Sequence, residues 1–183
     1  GGLVRLLANL PAFRFFRDIT AAQLVAYSTS SSAATLPVTI RVAENNLGIK
    51  TPVASSVLPL GATVNMDGTA LYVALVALFS AQVFGVPLGL ADYGVIMLTT
   101  VLVSIGAASV PSASLFLLAA VLTAIGISPE QTALVVGFIL PFDRILDMMR
   151  TATNVTGDLA VATTVAKWEN EIDMDEFRAK SHS

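Results

Sequence analysis

Three stretches of this chain, residues 19–40, 68–91 and 93–129, contain no Asp, Glu, Lys or Arg. Each is long enough for the roughly 20 apolar residues with which an α-helix crosses a bilayer. The composition agrees: 55% of residues are hydrophobic, 13% are charged, and mean hydropathy is +0.76. Soluble domains carry about 25% charged residues, so the chain reads as an all-α membrane protein. It has no cysteine, which excludes disulfides, thiolate metal sites and cysteine nucleophiles. The only histidine is His182, near the C-terminus, which argues against serine–histidine catalysis. No basic head with a cleavage site opens the chain, and residue 1 reads as the interior of something longer.

Residues 1–18, with Arg5, Arg14 and Arg17, read as an interfacial lead-in. Residues 19–50 are expected to form two short helices around Ser30–Pro37, the second reaching about Asn46. Residues 51–86 read as one transmembrane helix broken at Asn65-Met66-Asp67-Gly68-Thr69. Residues 91–127 are again two short apolar arms, around Ser104–Pro111. A last transmembrane helix is expected over 131–168, then a charged cytoplasmic tail over 169–183.

Two of these pieces repeat. SSSAATLP (Ser30–Pro37) aligns without gaps on SIGAASVP (Ser104–Pro111), and each copy lies between arms too short for a comfortable pair of spans. Each is followed by an apolar segment interrupted by Asn, Asp, Gly and Thr, at 65–69 and at 151–158. This is the pattern of inverted repeats, with re-entrant hairpins and broken helices meeting near the membrane midplane. If both hairpins re-enter, every basic residue except Arg144 and Arg150 falls on one side, which the positive-inside rule makes cytoplasmic. Only Asp92 and Glu130 remain opposite.

The last predicted helix carries the costly groups. At about 100° per residue, Asp143, Asp147, Arg150, Thr151, Asn154 and Asp158 share a sector of about 100°. An Asp or Arg at a helix centre costs about 2.5–3.5 kcal/mol in a membrane, so this row faces protein, water, ions or ligand. Asp147 and Arg150 can pair at i,i+3. The remaining surplus, with Asp67 from the broken helix, is negative and suits a hard cation held by oxygens, such as sodium. A helix starting after each Ser/Ala/Pro loop aims free amides and its positive end at the loop tip, which favours a carboxylate. Arg150 can clamp a second carboxylate and Asp147 can take an ammonium group. The implied ligand is a small zwitterion with an extra acid group.

Four motifs, Ser30–Pro37, Gly61–Thr69 (GATVNMDGT), Ser104–Pro111 and Asp147–Asp158 (DMMRTATNVTGD), resemble the dicarboxylate/amino acid:cation symporter family, whose best-known members carry glutamate and aspartate. The similarity runs in order over about residues 15–170 and corresponds to the C-terminal half of that fold. It implies two re-entrant hairpins and two long helices forming most of an elevator-type transport domain. The family's trimerising scaffold would precede this chain, giving a homotrimer in the cell membrane, in a bacterium the inner membrane. The partners implied are an acidic amino acid and the lipid bilayer, with no nucleic acid. No organic cofactor is implied.

The resemblance also distributes roles. Ser30 and Ser32 would hold the substrate's amino and α-carboxylate ends through backbone groups. Thr69, Arg150 and the amide of Ser114 would meet the side-chain carboxylate. Asp147, Thr151 and the carbonyl of Val110 would take the ammonium, and Asn154 the α-carboxylate. One sodium would use Gly61, Asn65, Asn154 and Asp158. A second would use Thr63, Ser104, Ile105 and Ala107, and a third Asn65 and Asp67. Val73 stands where proton-coupled relatives carry glutamate. Ser30 and Met148 stand where some relatives carry arginine. Having both Asp147 and Arg150 favours aspartate or glutamate over C4-dicarboxylates or neutral amino acids, the alternatives on the same fold. A distant alternative is an intramembrane aspartyl protease using Asp67 and Asp158. Without a phosphate-binding loop, the expected driving force is an ion gradient. Asp143 and Arg144 receive no role.

Overall fold

A computed structural model describes residues 1–107 and 109–174. Among them the chain is helical throughout, with one isolated bridge, Ile49 to Ile172, and no strand. The order is α1 (Gly2–Leu7), α2 (Ala12–Asp18), α3 (Thr20–Thr29), α4 (Ser32–Asn45), α5 (Thr51–Val64), α6 (Asp67–Val83), α7 (Leu90–Ile105), α8 (Ala113–Ala124), α9 (Pro129–Ile139), a 3-10 turn (Leu140–Phe142) and α10 (Asp143–Trp168).

The two similar motifs fold differently. The expected loop Ser30–Pro37 shrinks to Ser30 and Ser31. Ser30 is left-handed (φ 53°), and the Ser31 side chain caps α4 by accepting from the Ala34 amide at 3.1 Å. That cap starts the helix early and leaves Pro37 inside it, where the ring removes one backbone bond without ending the helix. In the second copy Ile105 stands where Ser31 does and offers no capping oxygen. There Ser104 and Ile105 end α7, and the described residues 106–107 and 109–112 lie outside any helix before α8 begins at Ala113. α3 and α4 double back on each other, and the Asn46 side chain donates to the Asp18 carbonyl at 2.8 Å, tying their open ends together.

The break between α5 and α6 is short. Asn65 and Met66 leave helical geometry, and α6 starts at Asp67, whose carboxylate suits a helix N-terminus. The single helix expected over 131–168 is instead α9, a 3-10 turn and α10. Pro141 lacks the amide that would continue the ladder, so the chain tightens there before resuming as α.

Two apolar cores flank one polar layer. Val4, Phe15, Ile19, Leu47, Leu58 and Leu159 belong to the first, built from α1–α5 and the C-terminal half of α10. Val73, Leu118, Leu122, Ile127, Val135 and Ile139 belong to the second, built from α6–α9. The buried Asp143, Asp147, Arg150, Thr151, Asn154 and Asp158 lie along α10, while Leu75, Phe79, Phe138, Ile145 and Met149 are exposed. Charges inside and large apolar groups outside suit a hydrocarbon surround. Among the described residues the run Thr51–Val83 is long and apolar enough to cross a membrane by length and composition. The 26-residue α10 fails that test because its polar stripe lowers its average hydropathy.

After α10 the chain folds back on the loop between α4 and α5. Lys50 pairs with Glu171 at 2.8 Å, and the Asp173 amide donates to the Gly48 carbonyl at 2.7 Å. Arg178, Lys180 and His182 of the expected tail lie outside the described residues.

Candidate functional site

A cavity of about 20 Å³ sits where the α3–α4 turn, the α5–α6 break, the α7–α8 tip and α10 converge. It is lined by Ser30, Ser32, Thr69, Val110, Ser114, Asp147, Thr151 and Asn154, all expected as substrate contacts, and by Met66, Ala107, Ser109 and Ala113. That volume holds a water molecule and not an amino acid. The buried hydroxyls of Ser30 and Ser114 have no hydrogen-bond partner.

The two turns present helix starts to this cavity. In α4, Ser31 satisfies the Ala34 amide, while the amides of Ser32 and Ala33 precede the first intrahelical bond, Thr35 N–H to Ser31 O at 3.0 Å. Ser112, left-handed at φ 61°, precedes α8 and donates its amide to Asp147 Oδ2 at 2.8 Å. The tips also hold each other. Ser31 Oγ donates to the Ser109 carbonyl at 2.6 Å, and Ser109 Oγ donates to the Ala62 carbonyl near the end of α5.

Arg150 is not among the cavity-lining residues. Its Nη2 donates to Asp147 Oδ1 at 2.8 Å and to Asp143 Oδ1 at 3.2 Å, with Nη1 also 3.2 Å from Asp143. The guanidinium lies over the Tyr72 ring, 4.1 Å from its centroid. Asp143, without a role in the sequence reading, is therefore an ion-pair partner of Arg150. Tyr72 had no distinguishing signal, because one aromatic on an apolar helix is indistinguishable from core. Arg144 is exposed, and its Nη2 donates to the Ser28 carbonyl at 3.2 Å.

Asn154 fastens the broken helix. Its Oδ1 accepts from the Gly68 amide at 2.7 Å, and its Nδ2 lies 3.2 Å from Met66 Sδ and 3.4 Å from Thr69 Oγ1. Gly68 packs on the α10 backbone at Arg150, where a Cβ would collide with the Arg150 carbonyl. Among the residues expected around sodium, Gly61, Asn65 and Asp158 meet. Asn65 Nδ2 donates to Asp158 Oδ1 at 2.9 Å, and Gly61 lies directly against that carboxylate. Asp67 lies against Gly157 on the same crossing, beside Asn65 Nδ2. Thr63 spends its hydroxyl on the Leu60 carbonyl at 2.8 Å. Ser104 accepts from the Ala107 amide at 3.1 Å, and neighbouring Ile105 is half-exposed. No group of three or more acidic, histidine or cysteine side chains capable of holding a metal occurs among the described residues. A cation here would rely on carbonyl and amide oxygens beside one or two carboxylates.

Comparison with known proteins shows the family. The model of the sodium:dicarboxylate symporter family matches residues 1–168. Excitatory amino acid transporter 2 of Mus musculus is 51% identical over 146 residues, covering 80% of this chain and 25% of that protein. An excitatory amino acid transporter of Caenorhabditis elegans is 45% identical over 161 residues, covering 88% of this chain and 31% of that protein. Excitatory amino acid transporter 4 of Rattus norvegicus is 41% identical over 172 residues, covering 93% and 30%. The chain thus spans between a quarter and a third of the length of these curated relatives. The family is one of transporters, which leaves the protease reading of Asp67 and Asp158 without support. On the match over 168 of its 183 residues, the chain belongs to the sodium:dicarboxylate symporter family.

Proposed function

We propose that this chain supplies the substrate- and ion-binding part of a sodium-coupled symporter for aspartate or glutamate. The observation that carries the reading is the water-sized cavity. Two unpartnered hydroxyls line it, helix starts approach it from both turns, and Asp147 forms one wall. An anionic substrate would take the free amides at the start of α4 and near Ser114, and its ammonium would take Asp147.

Substrate cannot enter the cavity at its present size, so the α7–α8 tip has to move. Among the described residues three bonds hold that tip: Ser112 N–H to Asp147, Ser31 Oγ to the Ser109 carbonyl, and Ser109 Oγ to the Ala62 carbonyl. Opening breaks them and exposes Asp147. Arg150, released from Asp147, would turn toward the second carboxylate while Asp143 retains one of its edges. Sodium near Gly61, Asn65 and Asp158, and near Asn65 and Asp67, would neutralise carboxylates beside the α5–α6 break and stiffen it. A second ion near Thr63, Ser104, Ile105 and Ala107 would favour the tip closing. In this reading residues 19–50 and 91–127 are re-entrant hairpins, 51–86 and 131–168 cross the membrane, and 169–183 is cytoplasmic. The unit would move as an elevator against a trimeric scaffold supplied by other parts of the protein.

The test is uptake by the full-length protein in liposomes. An inward sodium gradient should drive aspartate or glutamate accumulation, and replacing sodium with choline should abolish it. Arg150→Ala should abolish acidic-substrate uptake. Equal uptake in choline would refute the coupling, and unchanged uptake by R150A would remove the role of Arg150. Succinate transported in preference to aspartate would move the assignment to the C4-dicarboxylate alternative.

A further inference from the structure

Arg144 is one turn before the residues of the cavity wall, and the contact described for its guanidinium is the Ser28 carbonyl at 3.2 Å. The carbonyl it meets, that of Ser28, is one of those in the last turn of α3 that lie past its final backbone bond, Ser30 N–H to the Ala26 carbonyl at 3.0 Å. Those carbonyls carry the negative end of the α3 dipole, and α3 ends at the residue before Ser30. α4 starts two residues later with its positive end. The two ends are separated only by Ser30 and Ser31, so at the turn their fields oppose each other. A carboxylate drawn to the Ser32 and Ala33 amides is repelled by the end of α3 in comparable measure.

The imbalance comes from α10. Asp143, Asp147 and Arg150 form a closed cluster with a net charge of −1, since one guanidinium meets two carboxylates. Arg144 is the one basic side chain described as touching the α3 end, and it stands outside that cluster. We infer that Arg144 is a positioning and specificity-determining residue for an anionic substrate. It neutralises the carbonyl end of α3 and fixes the turn at Ser28, so that the amide end of α4 dominates the field at Ser30–Ser32. This rests on the transport reading above.

The effect is electrostatic and at the surface, so salt screens it. An exposed charge at a helix end changes binding by about two- to fivefold at low ionic strength. The experiment measures KM and kcat for aspartate uptake by the full-length protein at fixed saturating sodium, with ionic strength raised by choline chloride. R144Q, which removes the charge and keeps a polar side chain, should raise KM about two- to fivefold at low ionic strength with kcat retained. It should converge on the parent at high ionic strength, and R144K should stay near the parent throughout. A KM for R144Q equal to the parent at low salt would overturn the inference. So would a deficit that persists undiminished at high salt, or R144K failing as R144Q does, since each points to packing rather than charge. If the parent protein takes up no aspartate, the transport reading falls and this inference with it. Parent uptake with an indifferent R144Q sinks the inference alone.

Discussion

Replacing Gly61 by alanine tests the proposed ion site with a perturbation of one methyl group. Gly61 lies in α5 against Asp158, and a Cβ there would stand 2.7 Å from Asp158 Oδ1 and 3.0 Å from Cγ. Ordinary contact begins near 3.4 Å, so the oxygen must retreat by about 0.7 Å. The Asn65–Asp158 bond, now 2.9 Å, would stretch toward about 3.6 Å, beyond hydrogen-bonding range. Losing a bond to a charged acceptor costs about 1.5–3 kcal/mol, while Gly→Ala inside a helix returns about 1 kcal/mol. Net stability therefore falls by about 0.5–2 kcal/mol. A cation needing that carboxylate in place feels the full displacement, equivalent to about 10- to 150-fold weaker sodium affinity at 1.4 kcal/mol per tenfold. The assay is calorimetric aspartate binding to the full-length protein across a sodium titration, with thermal melting in parallel. Gly137→Ala is the control: a Cβ there meets nothing within 4 Å, so its sodium midpoint should match the parent and its Tm should not fall. A G61A protein that melts normally with the parent's sodium midpoint would show that Asp158 and Gly61 do not share an ion.

Two further substitutions probe the scaffold of the site. Asn154→Ala leaves the buried Gly68 amide without its acceptor and should cost about 1–3 kcal/mol, seen as a lower Tm together with loss of aspartate binding. Aspartate binding at parental affinity would contradict the assigned part of Asn154. Gly48→Ala forces a side chain into φ +67° with its Cβ 2.6 Å from the Asp173 carbonyl. Left-handed strain alone costs about 1–2 kcal/mol. Hydrogen exchange at the Lys50 and Asp173 amides should accelerate, and unchanged protection there would refute the clasp between residues 169–174 and the α4–α5 loop.

Much of the site is legible in the sequence because membrane burial makes polar residues costly. The row from Asp143 to Asp158 announces an inward face, and the structure buries Asp143, Asp147, Arg150, Thr151, Asn154 and Asp158 together. The break at Asn65 and Met66 is equally visible, since an Asn-Met-Asp-Gly cluster interrupts an apolar helix. The repeat misleads in detail. Eight aligned residues suggest one conformation, yet Ser31 caps a helix where Ile105 cannot, and SSSAATLP becomes mostly helix while only Ser104 and Ile105 are helical among the described residues of SIGAASVP. Pro141 is the signal in the last segment that divides one expected helix into α9 and α10.

The class of molecule, the inward stripe, the broken helix and the two similar Ser/Ala/Pro motifs are all legible along the chain. Each follows from local rules: hydropathy, helical period, and the cost of charge in hydrocarbon. The tertiary structure alone decided which groups meet. Asp143 pairs with Arg150 seven residues away, Ser112 reaches Asp147 across 35 residues, and Asn154 holds Gly68 across 86. Such partnerships depend on how helices cross and which side-chain atoms come within about 3 Å, and no periodicity along one chain encodes that distance. Arg144 is the clearest case: a lone cation in the sequence, and in the fold the group that meets the carbonyl end of α3.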